Sequence, residues 1–527
     1  LAPVMKLFSD SILAYRAAVI VNLILQIVSF FIILKIIEKV IEDINPYHRV
    51  ILAGIGVLYP SWVFYTQMTM SEALLFFLYV LVIYLVFQYL EKPTLFRGMI
   101  LAISSLYMYT VHMRTVGVLS AVFLTVLFNM VMQLRDKAVS KGEESGRRRG
   151  LILGVVTVLF LFIGFIICII IKNNVISSLY SSGQVDSTYV NDYSGQTGKL
   201  AELLSLRGIG RFLVSMSGKL LYLGCATFGA GYIGIYSLAK RIRRGNKYSL
   251  FILLSAFLQF MVMSVYLLHS ADLEANRFDL FLHGRYFDFC VPMLMVFGFH
   301  ELFTQYWYIQ KILVSGGIIA VFGIISSVVA GLNKVGFNDP HGMLMIGMSY
   351  FLDEDNVKPT GVIAQNMIFA WGVMALLMLL IWLYRKRKNV YLLCALHILL
   401  IALAYNACNH FIYIGQVYIF GDIQVADQIS ELRSEGYTGD IVLLYEGGKE
   451  YIDTVQLRLR DEHIHVEYVD NSVKNVDKVY LESLVSSTDL VLIDFESNLN
   501  ELISDKYDKS WESGHFDLYY NLLEGDK

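Results

Sequence analysis

The sequence predicts an α-helical polytopic membrane bundle with a small extracytoplasmic α/β domain at its C-terminal end. Three observations carry this. The 527-residue chain is 56% hydrophobic and only 17% charged, with a mean hydropathy of +0.57, far from the balance of soluble domains. Apolar runs of bilayer-spanning length recur through the first 405 positions. Beyond them the charge reverses: residues 1–405 hold 33 Lys and Arg against 21 Asp and Glu, whereas residues 406–527 hold 9 against 24.

An apolar run of about 17 to 25 residues crosses a hydrocarbon core of roughly 30 Å as a helix. About twelve such runs are readable, near 17–37, 50–66, 72–90, 98–112, 115–133, 150–171, 212–239, 249–268, 286–303, 311–332, 361–384 and 389–407. In lipid every backbone amide needs an internal partner, so residues 1–407 are expected to form a helical domain.

Orientation follows from the loops, because Lys and Arg concentrate on the cytoplasmic side. Segments 38–49, 91–97, 134–149, 240–248, 304–311 and 385–388 hold 20 Lys and Arg in 56 residues, including GRRRG, KRIRRGNK and RKRK. The alternate segments 1–16, 67–71, 112–114, 172–211, 269–285 and 333–360 hold 11 in 109. The first set is expected inside and the second outside. Twelve crossings return the chain to its starting side, so the acidic tail is expected outside as well. The opening LAPVMKLFSDSILAYR starts outside without a signal peptide, which predicts a further span upstream of Leu1 and about thirteen in the intact protein.

Within the tail, residues 408–527, GDIVLLYE, HIHVEYVD and TDLVLIDF read as strands separated by the helical patterns VADQISELRSEGY and VYLESLVSS. Strands alternating with helices predict a small parallel α/β layer. YEGGKE at 445–450 places glycines after a strand but lacks a nucleotide-binding pattern, so it reads as an ordinary strand-to-helix turn. Cys168, Cys225, Cys290, Cys394 and Cys408 lie scattered in or beside apolar runs, which excludes a disulfide framework or a cysteine metal site.

Ionisable residues at the ends of apolar runs are costly and point to function. Glu72 opens a run after Ser71, where capping of a helix N-terminus is the alternative reading. Arg114 follows His112, Tyr107 and Tyr109 where almost no loop separates two runs. Its fork suits phosphate, and snorkelling is the alternative. In HGRYFDFCVP, residues 283–292, His283, Arg285 and Tyr286 stand at the outer end of a run, at the depth of lipid phosphate, and anchoring of the helix on headgroups by Arg285 is the alternative. Lys219, two turns into its run, reads as a snorkeller or a further phosphate contact. Cations at the outer ends of several spans predict a cavity for an anionic lipid head group such as a polyprenyl phosphate.

The order LYPSWVFYTQMTMSEALLFF, with Pro60, Gln67, Ser71 and Glu72, followed by LFRGMILAISSLYMYTVHMRTVGVL and then by Arg285, Tyr286 and Pro292, resembles the GT-C class of membrane glycosyltransferases. These are the polyprenyl-phosphate-sugar-dependent enzymes related to protein O-mannosyltransferases and lipid A aminoarabinose transferase. The likeness covers about residues 1–300. It implies inverting transfer of a sugar from a polyprenyl-phosphate donor to an acceptor hydroxyl at the extracytoplasmic face of the cell membrane. It also implies a catalytic acid in the first external loop. Asp10 lies later than that position, so the acid is expected upstream of Leu1, leaving this stretch inactive alone. Glu72 is a second acidic candidate, for acceptor or metal contact. Arg114, His283, Arg285 and Tyr286 are the expected lipid-phosphate contacts. No metal ligand is assigned, and a divalent metal is left open as a cofactor. Expected partners are the lipid-linked sugar, membrane lipids and an unidentified acceptor, with no nucleic acid.

A lipid or solute transporter or flippase is the main alternative. No internal repeat is readable and the seven prolines lie in loops or at run ends, which argues against it. A lipid-linked glycan polymerase or ligase would share much of the same chemistry, and twelve spans exceed what an anchor for the tail requires.

Overall fold

A computed structural model describes residues 4, 6–135, 141–179, 194–270, 272, 278–333, 339–352, 358–414, 418–445, 452–460, 462–469, 481, 484–486 and 488–521. The glycines after Tyr445, and parts of the long segments 172–211, 269–285 and 333–360, lie outside the described residues.

One compact unit comprises Val19–Leu179 and Asp192–Cys408, so that the first turns of its first helix, residues 11–18, fall outside it. Its helices are α1 (Ser11–Val40), α2 (Pro46–Val57), α3 (Pro60–Thr66), α4 (Ser71–Glu91), α5 (Leu95–Val111), α6 (Val116–Arg135), α7 (Lys141–Leu179), α8 (Ser194–Glu202), α9 (Leu206–Ala226), α10 (Ala230–Ile242), α11 (Lys247–Tyr266), α12 (Asp279–Leu282), α13 (Val291–Thr304), α14 (Tyr308–Asn333), α15 (Pro359–Arg387) and α16 (Ala395–Cys408). Among the described residues eight helices are long and apolar enough to cross a membrane, or up to ten if two bent pairs each count as one span.

The bent pairs have local causes. Pro60 cannot continue α2, and α3 departs at 59°. Between α9 and α10, Phe228 and Gly229 take positive φ values of 53° and 75°, and the chain turns by 99°. Two expected spans are shorter than a typical crossing: α5 has 17 residues and α13 has 14. Every residue of α13 from Val291 to Phe303 is buried. A helix that is apolar all round belongs in the interior, so α13 is the post on which the preceding segment 283–290 is mounted.

A second unit includes the described residues of 1–18 and 409–527. Here α17 (Tyr418–Glu435), β1 (Ile441–Tyr445), α18 (Ile452–Leu459), β2 (Ile464–Tyr468), β3 (Leu490–Asp494), α19 (Leu499–Ile503), β4 (Lys509–Ser513) and β5 (Phe516–Tyr520) build a five-stranded sheet ordered β2-β1-β3-β5-β4. The three strands read in the sequence pair in parallel. A hairpin unread there, β4-β5, joins β3 antiparallel, so the sheet is mixed rather than parallel. Apolar clusters cover both faces, one around Ile441, Leu443, Leu490 and Leu492, the other around Val442, Leu444, Val491 and Ile493. The N-terminal segment belongs to this unit: Arg458 approaches Asp10 at 3.7 Å, and Arg460 bonds the carbonyls of Phe8 and Ser9.

Candidate functional site

The segment 283–290 holds one short 3-10 turn, Asp288–Cys290, and the rest of its backbone is fixed by specific bonds. The amides of Gly284 and Arg285 both donate to the Leu344 carbonyl, at 3.0 and 3.1 Å. A Cβ on Gly284 would lie 2.1 Å from the Tyr222 ring, so only glycine allows this approach. Beneath it Asp288, fully buried, accepts hydrogen bonds from the Tyr59 hydroxyl at 2.7 Å and the Tyr222 hydroxyl at 2.9 Å. A buried carboxylate needs such donors. Tyr59 stands at the α2–α3 break and Tyr222 on α9, so one acid ties the segment to two elements.

This mounting aims Arg285 at the start of α4, where its Nε donates to Glu72 Oε1. The Glu72 side chain is 3% exposed and that of Arg285 20%. Burial alone would lower the Arg285 pKa, and the Glu72 carboxylate more than offsets that, raising it so that the guanidinium stays charged. Glu72 stands in the first turn of the helix, as the capping alternative has it, although Ser71 is not the cap residue. Ser71 is the first helical residue, Met70 occupies the cap position without a side-chain bond, and Ser71 Oγ donates to Glu72 Oε2 at 3.2 Å.

Arg114 comes to the same place from the α5–α6 turn. Its Cζ lies 3.8 Å from the centre of the Tyr286 ring and 4.0 Å from that of Tyr266, a cation clasped by two π faces. It also donates to the Tyr266 hydroxyl. Its backbone N–H donates to His112 Nδ1 at 3.3 Å, which requires the unprotonated nitrogen there. Gln259 Nε2 donates to the carbonyls of both Arg114 and Tyr286, at 3.1 and 2.8 Å, clipping the two segments together. The Arg114 Nε is buried with no acceptor among the described residues.

Glu72, His112, Arg114, Gln259, Arg285 and Tyr286 thus line one narrow hollow, too tight in this structure to admit a water molecule. His283, buried, sits behind it with its ring 4.3 Å from that of Tyr286. Lys219 does not reach the hollow and does not snorkel. Its ammonium is fully buried and donates to Ser215 Oγ, Ser270 Oγ and the Leu280 carbonyl at 3.0 to 3.1 Å. Tyr107, half exposed, lines no part of the hollow.

The structure adds residues that the sequence reading passed over. Lys199 on α8 donates to the Tyr266 carbonyl at 2.7 Å, with its ammonium 5.1 Å from the Tyr266 ring. Glu202, at the end of the same helix, bridges Arg211 and His269 at 3.1 Å each and holds α8 in place. Tyr266 and Gln259 lie on α11 inside an apolar run, with no local pattern to single them out. Among the described residues no group of three or more His, Cys, Asp or Glu could hold a metal ion.

No family model and no curated protein matches the chain. Among solved structures it is similar to the crystal structure of ArnT from Cupriavidus metallidurans bound to undecaprenyl phosphate, at 12% identity and a TM-score of 0.46, over 96% of this chain and 84% of that one. It is similar to the apo state of ArnT from the same organism at 12% identity and a TM-score of 0.45, over 96% and 83%.

Proposed function

We propose that this chain is the helical body of an inverting membrane glycosyltransferase, in which Arg114 and Arg285 hold the phosphate of a polyprenyl-phosphate-linked sugar at the extracytoplasmic face. The observation that carries this reading is the convergence of two guanidinium groups from distant segments on one hollow walled by Tyr286. The order of motifs in the sequence supports the same class.

The chemistry asks for such a pair. An acceptor hydroxyl oxygen bonds to the anomeric carbon and gives up its proton to water as the carbon–oxygen bond to phosphate breaks, and the departing lipid phosphate gains negative charge. Fixed cations in a site sparing of water stabilise that charge without reorganising, and guanidinium forks match phosphate oxygens in pairs. The Nε of Arg114 has no acceptor among the described residues, while Arg285 is oriented by Glu72. In this reading Glu72 is a positioning residue, engaged with a cation rather than poised to take a proton. His283 supports the Tyr286 ring from behind. No residue of this chain is assigned as the base.

The test is turnover of a polyprenyl-phosphate sugar by the full-length protein in proteoliposomes. Sugar transfer lost in Arg285→Ala and Arg114→Ala, with the protein still folded, supports the proposal. Undiminished turnover in both removes the two arginines from the site.

A second reading, transport of a lipid, draws on the two broken helix pairs and on buried Asp288 beside the α2–α3 break, features that transporters share. Movement of a labelled lipid across a vesicle bilayer without sugar release would favour it.

A further inference from the structure

At the other end of the same helices lies a much larger cavity with its own charge pattern. The 21-residue α4 carries Glu72, in the hollow, near its start and Glu91 at its end, about 30 Å away. There Glu91 pairs with Lys39 and accepts from the Tyr248 hydroxyl at 3.2 Å. Beside them a cavity of about 800 Å³ opens, lined by Lys39, Arg241, Arg244 and Lys247 against only two acids, Glu42 and Asp43. That volume is ligand-sized.

Among the described residues Lys39 is the one of these cations in a close ion pair, with Glu91, while Glu301 and Glu42 act on Arg241 and Glu91 on Lys247 from farther away. Among the described residues no carboxylate lies within 4 Å of Arg241, Arg244 or Lys247. Arg241 donates through one terminal nitrogen to the Val40 carbonyl at 3.1 Å, and its Nε is buried with no acceptor among the described residues. Lys247 donates to the Leu90 carbonyl at 2.8 Å. Charges that only set membrane orientation need to be in the loops. They need not converge on a cavity, nor leave a buried donor unmet.

We propose that this cavity binds a phosphate-bearing ligand, its anionic group received by Arg241, Arg244 and Lys247. One source is the phosphodiester of an anionic phospholipid in the adjacent leaflet, for which basic pockets between helices are suited. The other is a phosphate solute. Either balances the cationic surplus. The site is separate from the hollow of Glu72 and Arg285 and does not depend on the function proposed for it.

The full-length protein in nanodiscs of phosphatidylcholine with and without phosphatidylglycerol tests this by native mass spectrometry for retained lipid. Inorganic phosphate is titrated in parallel against thermal unfolding in pure phosphatidylcholine. Retained phosphatidylglycerol identifies the lipid source, and a phosphate-dependent rise in Tm identifies the solute. In either case Arg244→Gln with Lys247→Gln should weaken binding at least about tenfold, the loss of one charged hydrogen bond. Arg243→Gln, on an exposed neighbour outside the lining of the cavity, should leave it unchanged. Arg244→Gln alone, on an exposed side chain, gives the same direction if the double variant folds poorly. Wild-type protein that takes up neither probe, or binding that responds to Arg243→Gln and not to the Arg244 and Lys247 variants, overturns the proposal.

Discussion

Arg285 and Glu72, 213 positions apart, form an ion pair at the mouth of the helical unit, with the carboxylate almost wholly buried and the guanidinium one-fifth exposed. Breaking such a pair by removing one partner leaves a buried charge unmet, which is more costly than never having had the pair.

Glu72→Gln should therefore destabilise the helical unit by about 3 kcal/mol and disorder the Arg285 fork. Thermal unfolding in detergent measures the first effect. If Glu72 only positions Arg285, the exchange Glu72→Arg with Arg285→Glu recovers stability, as a coupled pair in a double-mutant cycle should, without recovering turnover. Recovery of turnover by the swapped pair would deny Arg285 a direct contact with donor.

Arg114→Ala should lower kcat/KM for a lipid-phosphate donor by roughly ten- to a hundredfold, as expected for one lost charged hydrogen bond of about 1.5–3 kcal/mol. Arg114→Lys should recover little, because a point charge lacks the planar face that lies between Tyr266 and Tyr286. Steady-state kinetics with the donor varied checks both.

Gln259 holds two backbone carbonyls with one amide group. Gln259→Leu should cost about 1–3 kcal/mol through the unmet carbonyls. It should also raise donor KM, since Arg114 and Tyr286 are no longer clipped together. A Tm loss without any change in KM would make Gln259 purely structural.

The C-terminal unit carries a titration of its own. On β5, burial first, then Glu512 and Asp494, push the Asp517 carboxyl up to about 6 from an ordinary 3.8. Because the folded value is the higher one, the contribution to stability is full below pH 3.8 and is lost as pH rises through about 6. Asp517→Asn should make the β4–β5 hairpin more protected from amide exchange at pH 7.5 than wild type, with the gap narrowing at pH 5. An equal gap at both pH values would assign the effect to something other than this carboxyl.

Much of this architecture is legible in the sequence where physics acts locally. Apolar run length marks the helices, and β1, β2 and β3 read from short β-branched stretches between polar turns. The hairpin β4–β5 escapes notice because Lys509, Glu512 and Asp517 interrupt its apolar pattern. The bend at Phe228 and Gly229 is hidden because hydropathy is blind to φ. Glu72, Arg114 and Arg285 stand out because ionised groups at span ends are expensive. Their keepers, Gln259, Tyr266 and Tyr222, are ordinary residues of apolar helices, and only folding across 66 to 152 positions reveals what they hold. Lys219 shows the converse: a lysine in a span drew attention, yet two serines and a carbonyl absorb it.

The most direct measurement of the central claim is the affinity of the full-length protein in nanodiscs for a polyprenyl monophosphate, determined for wild type, Arg114→Ala, Arg285→Ala and the double variant. Convergence of both guanidinium groups on one phosphate predicts at least about tenfold weaker binding in each single variant and a double variant that falls short of the product, as partners on a shared ligand do. Wild-type affinity in both single variants would contradict it.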